Sequence, residues 1–229
     1  AMLSQQSDAA LQEACCRALK ELAAQEAAIR DQIGSSSGIK AVLAAMSLHP
    51  ASVSLQVAGC GVLRNMTVAS VPFQTEVSSL GGVQIVLNAM NLHAEDASMQ
   101  WAGCWVIFCL TVQNPALQRE VETKGIHAVL KAVRYHAAAP KVQEAGCWAL
   151  KELAWTVKSD ISVWLDIVQA VSRAIREHPA APEIQNAGRA ALQRLARSEA
   201  SSSKRTLRCA ASRPSMKRRR CCSLQSIPE

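Results

Sequence analysis

"VQEAGCWALKELAW", residues Val142 to Trp155, crowds a glutamine, a cysteine, two glutamates and two tryptophans into fourteen positions. These are residue types of a reactive site, but such a site occurs once, because its partners converge from separate parts of a fold. This stretch has four counterparts: "LQEACCRALKELA" (Leu11 to Ala23), "LQVAGCGVLRNMT" (Leu55 to Thr67), "MQWAGCWVIFCLT" (Met99 to Thr111) and "IQNAGRAALQRLA" (Ile184 to Ala196). Their glutamines, Gln12, Gln56, Gln100, Gln143 and Gln185, are spaced by 44, 44, 43 and 42 residues. Self-similarity at that period marks an α-solenoid, in which each unit buries its apolar side against the next.

A second phrase precedes the first: "GIKAVLAAMSLHP" from Gly38, "GVQIVLNAMNLHA" from Gly82, "GIHAVLKAVRYHA" from Gly125, and a fourth copy, "IVQAVSRAIREHP" from Ile167, without the glycine. In each, a histidine (His49, His93, His136, His178) stands seven residues before the glutamine. Composition agrees: the chain has 229 residues, 49% of them apolar and only 3% aromatic, which suits helices packed through Ala, Leu and Val. Four of the nine cysteines recur at one helical position instead of pairing as staples, and no secretory leader is evident, so we expect a reducing compartment. The charge-free stretch 97–118 has an apolar centre too short to span a bilayer and is expected to be a buried helix.

Apolar residues at spacings of three and four (Val142, Ala145, Ala149, Leu153) make the glutamine phrase a long helix with one buried stripe, and the glycine phrase a shorter one. Between them, "NPALQREVETKG" (Asn114 to Gly125) supplies a capping Asn, a Pro and a closing Gly, so a third, short helix is expected to end at Gly125. With this triple of helices, the glycine that opens the middle one and the "ALxxLA" ending, residues 7–197 resemble the armadillo repeat family. The resemblance implies an all-α, right-handed α-solenoid, an armadillo-like superhelix of three-helix repeats of 42–44 residues. We expect the array over 1–199, with long helices at 7–23, 52–68, 96–112, 139–156 and 180–197. The first long helix lacks a preceding pair, which fits either a truncated cap or a piece of a longer array.

Individual positions then take structural readings. Cys16, Cys60, Cys104 and Cys147, four residues after the glutamines, serve as small packing groups, and the glycines before the last three admit a neighbouring helix. Arg189 takes that place in the last unit, as expected of a surface facing water. The histidines, at the ends of middle helices, are expected to cap carbonyls there. No phosphate loop, serine elbow or zinc spacing is present, so we expect neither catalysis nor a cofactor or metal.

The expected site is the concave face of the long helices. Positions one, five, nine and twelve after each glutamine collect Trp101, Trp105, Trp148 and Trp155, with Glu144, Glu152 and Asn65 beside them. Such rings either fill gaps between helices or anchor a bound protein or peptide, and with the two carboxylates they would suit a partner bearing Lys or Arg. Nuclear-import members of the armadillo family hold peptides with repeated Trp-x-x-x-Asn pairs. The matching pairs here, Gly61 with Asn65, Trp105 with Cys109 and Trp148 with Glu152, are all incomplete.

Residues 1–200 carry 17 basic and 17 acidic side chains, and residues 201–229 carry eight basic and one acidic, so the whole excess of +7 lies in the tail. The neutral repeat body argues against nucleic acid there. The tail, 200–229, is too polar to repay the entropy of folding and is expected to be disordered. Its run Lys217, Arg218, Arg219 and Arg220 reads as a nuclear-import signal, a lipid-facing patch beside Cys221 and Cys222, an occupant of the chain's own groove or a solvated run. The expectation is a cytoplasmic, non-catalytic interaction scaffold, with nuclear entry only if the tail run acts as an import signal, no membrane span, and an oligomeric state the sequence does not specify. The alternative is a regulatory or targeting armadillo fragment of a larger signalling enzyme such as a kinase.

Overall fold

The computed structural model describes residues 2, 4–68, 70–154 and 160–211, except the side chains of 123 and 198–211. In chain order the helices are α1 (Ala9–Ala23), α2 (Ala27–Ser35), α3 (Gly38–Leu48), α4 (Val53–Thr67), α5 (Val71–Ser79), α6 (Gly82–Leu92), α7 (Ala97–Thr111), α8 (Pro115–Tyr135), α9 (Pro140–Leu153), α10 (Ile161–Glu177) and α11 (Pro182–Ala211). The five glutamine phrases form α1, α4, α7, α9 and α11, packed side by side in that order, as the period requires. The helix starts are set locally. Asp8, Ser52, Asp96 and Asn114 each accept a bond from the backbone N–H three residues on, and Pro115, Pro140 and Pro182 open their helices. The buried helix expected within 97–118 is α7. No helix among the described residues is long and apolar enough to cross a membrane.

The expected short helix ending at Gly125 is corrected: α8 runs through Gly125 and joins the short and middle helices into one. In the earlier units the break falls on Ser37 (φ 58°) and Gly81 (φ 76°), left-handed residues directly before the glycine phrase. The corresponding residue in the third unit is Lys124. A lysine gains nothing in the left-handed region, and the helix continues. The last long helix, α11, carries its backbone to Ala211, into the first residues assigned to the tail.

One apolar cluster runs through the array. Cys16, Cys60, Cys104 and Cys147 are fully buried in it, and Arg189 is exposed. Burial pushes these four thiols up to about 12, with smaller contributions from neighbouring thiols and, at Cys16, from Glu13. They are packing groups, protonated at neutral pH. A Cβ at Gly103 would overlap Met90, and one at Gly146 would overlap Val133, so the glycine ladder lets each long helix lie against its own middle helix.

Gln56, Gln100 and Gln143 lie buried, and Gln185 half-buried, at the ends of the middle helices. Gln56 Nε2 donates to the carbonyls of Met46 (2.8 Å) and His49 (3.0 Å). Gln100 does the same to Met90 and His93, Gln143 to Val133 and His136, and Gln185 to Ile175 and His178. Helix ends leave carbonyls unpaired, and one amide nitrogen here satisfies two of them. The histidines do cap carbonyls, but those of the unit before. His93 Nε2 lies 2.7 Å from the carbonyl of Pro50, His136 2.8 Å from that of Ala94, and His178 2.7 Å from that of Ala137. Glutamine thus joins the helices within a unit, and histidine joins units.

A second ladder, which the motif reading missed, secures the other end of the long helices. Arg30, Gln74 and Gln118, each 44 residues from the next, donate to the carbonyls of Ala23, Thr67 and Thr111, seven residues upstream in each case.

Candidate interaction face of the long helices

With the glutamine, cysteine and histidine rows committed to packing, the remaining side of α1, α4, α7, α9 and α11 faces outward. Trp101 and Trp105 on α7 and Trp148 on α9 are all half-buried there. Trp105 and Trp148 meet through Phe108, which stands edge-on to Trp105 (centroids 5.5 Å apart, 81°) and tilted against Trp148 (6.0 Å, 51°). Such pairs contribute on the order of 1 kcal/mol beyond burial, so the three rings form one rigid cluster.

Cations lie over these rings. The Arg64 guanidinium stands 5.7 Å from the centroid of Trp101, and Lys151 Nζ stands 4.8 Å from that of Trp148. Two hollows flank the aromatic cluster. The first, of about 540 Å³, is lined in part by Arg17, Lys20, Arg64, Ser98, Trp101 and Trp105. The second, of about 570 Å³, is lined in part by Gln113, Lys151, Glu152, Arg194 and Arg197.

Sequence reasoning missed Phe108 and the basic row beside it. Lys20, Arg64, Phe108 and Lys151 all stand eight residues after a glutamine, a column adjoining the ones inspected. The period that located the tryptophans would have found it, had the reading been carried one column further.

The other expected site residues fare differently. Asn65 is spent inside the array, where its Nδ2 donates to the Lys20 carbonyl (2.9 Å) and its Oδ1 accepts from Arg64 Nε (3.2 Å). Glu152 is buried, its side chain 5% exposed, beneath Lys151 (3.1 Å, 25% exposed) and Arg194 (3.6 Å, 36% exposed). Its charge is met by this chain's own cations and is not offered to a partner. Glu144 is half-buried, and its carboxyl is pushed above the usual carboxylate range by desolvation and then by the charge of Glu183. The expected attraction for a Lys- or Arg-bearing partner therefore finds no support in the geometry. Trp155 and the run Lys217 to Arg220 lie outside the described residues. Trp164, on α10, packs half-buried against the core.

The family model described as LRRK2 ARM repeat matches residues 34–208, roughly three quarters of the chain. No curated protein sequence matches it.

Proposed function

We infer the task of the chain from its membership: it belongs to the armadillo family described as LRRK2 ARM repeat, and armadillo arrays serve as protein-interaction scaffolds. Its own role is to hold an extended peptide or partner helix on the long-helix face without catalysing a reaction. One observation carries this. The thiols, glutamines and histidines are spent on packing and caps, whereas Trp101 and Trp105, which line the first hollow, and Trp148 stay half-exposed. Rigid aromatic groups at the centre of a face are what partner recognition most often uses.

A photo-reactive residue at Ser98, in the first hollow, tests the reading against one at Lys131, exposed on the middle-helix part of α8. Cross-linked partners are expected from Ser98 alone, and they disappear when Trp105→Ala and Trp148→Ala are combined. Equal yields from both positions would remove the assignment of the face. A second reading, an armadillo region of a larger signalling enzyme such as a kinase, is loosely favoured by a family description that qualifies the repeat with another protein's name.

A further inference from the structure

The charges on this face say what kind of segment fits it. In the first hollow, Arg17 is 64% exposed above Glu13, which is 22% exposed, at 2.5 Å. Arg64 is held by a ring and an amide oxygen, and Lys20 pairs with the exposed Glu21 (2.9 Å). In the second, Lys151 and Arg194 cover the buried Glu152, and Arg197 extends the same rim. Counting Glu13 with the first group, three cations face two carboxylates there, and in the second Lys151 and Arg194 face the one carboxylate of Glu152. Both hollows are net positive, and the stretch between them is the uncharged cluster of Trp105, Phe108 and Trp148. Glu144 and Glu183 lie toward the opposite ends of their helices, Glu144 seven residues, about 10 Å, from Lys151.

We propose that the long-helix face binds an extended acidic protein segment, with Asp or Glu clusters on both sides of a bulky apolar residue. This rests on the scaffold reading and adds the partner's chemistry. The apolar residue sits on the Trp105, Phe108 and Trp148 cluster, and the carboxylates reach Lys20 and Arg64 on one side and Lys151 and Arg194 on the other. The hollows centre near α4 and α9, two helix steps apart, about 16 to 20 Å. An extended chain rises about 3.3 Å per residue, so the two acidic clusters stand about six residues apart.

Other occupants fit less well. The chain's own residues 201–229 carry eight basic groups and one acidic, and like charges repel them from both hollows. A nucleic-acid strand is charged at every nucleotide and would lay phosphates across the uncharged centre.

A phage-displayed library of random dodecapeptides, selected on the full chain, tests the proposal. Selected peptides are expected to carry Asp or Glu on both sides of Trp, Phe or Leu. By fluorescence anisotropy, their affinity should fall about tenfold when Arg64→Gln is combined with Lys151→Gln. It should change less than about twofold when Lys217 to Arg220 are all replaced by glutamine, since rim charges elsewhere act weakly. Circular dichroism confirms that each variant is folded, and Lys20→Gln replaces the double variant if that one is not. Loss of binding in the tail variant alone would move the site to the tail and overturn the proposal. Peptides rich in Lys or Arg, or free of charge bias, would also overturn it, and if Trp105→Ala with Trp148→Ala still abolished their binding, the scaffold reading would stand. Tighter capture of oligouridylate than of the selected peptides would assign the face to RNA. No selected peptide together with no cross-link from Ser98 would remove both readings.

Discussion

The row of glutamines and the row of half-buried rings lie on the same helices, yet the first is constant and the second is not. Every long helix spends its glutamine on the same two carbonyls, ten and seven residues upstream. Five residues after it come Arg17, Gly61, Trp105, Trp148 and Ala190, and eight after it come Lys20, Arg64, Phe108, Lys151 and Gln193. Stacking demands an identical joint in each unit, because every unit meets the same neighbour. A bound segment presents a different side chain to each unit, so a recognition face has no reason to repeat. Periodic positions therefore belong to the fold, and on the proposed function the positions that break the period are where a partner is read.

If that division is right, disturbing the periodic rows should cost far more stability than disturbing the face. The broadest disturbance is alkali. An unfolded chain releases thiol protons near pH 9, whereas burial holds those of Cys16, Cys60, Cys104 and Cys147 to about 12. Between those values the folded chain binds more protons, so stability is intact below pH 9 and falls as pH rises through the window, by roughly 1.4 kcal/mol per thiol and pH unit. Urea midpoints at pH 8 and pH 10 should show the loss, and Cys104→Ala with Cys147→Ala should make it shallower. Parallel pH dependences in the two proteins would mean that these thiols are not sealed in the fold.

A single joint comes next. Gln100→Leu leaves the carbonyls of Met90 and His93 without their donor. Unsatisfied groups of this kind cost about 1 to 3 kcal/mol each, so a total of about 2 to 6 kcal/mol is expected in chemical denaturation. A near-neutral result would reduce the glutamine ladder from joint to ornament.

What the sequence disclosed follows the same division. The glutamines were legible as a period, though not their carbonyl partners, and the cysteine stripe was legible because helical spacing alone buries it. Two failures came from the neighbours of a noted residue. Gly125 was marked as a helix end without weighing Lys124, which does not adopt the left-handed turn taken by Ser37 and Gly81. Glu152 was placed beside Trp148 without its cover, because Arg194 arrives from α11, 42 residues away. Tertiary pairs that do not recur leave no period to detect, and for that reason the cations that cover Glu152 went unread.

The smallest expected effect bears most directly on the comparison. Arg64 rests on Trp101 at 5.7 Å and bonds the Asn65 side chain, and it is half-buried. A cation over a ring at a partly exposed site contributes about 0.5 to 1 kcal/mol, and the aliphatic stem adds little where solvent reaches it. Arg64→Ala should therefore lower the melting temperature by no more than about 2 to 4 °C while weakening capture of an acidic segment. Asn65 keeps its bond to the Lys20 carbonyl in that variant, so the joint between α1 and α4 survives. A loss as large as that from Gln100→Leu would place Arg64 and Trp101 among the joints of the array. The face would then be one more seam between units, and its departure from the period would need another cause than recognition.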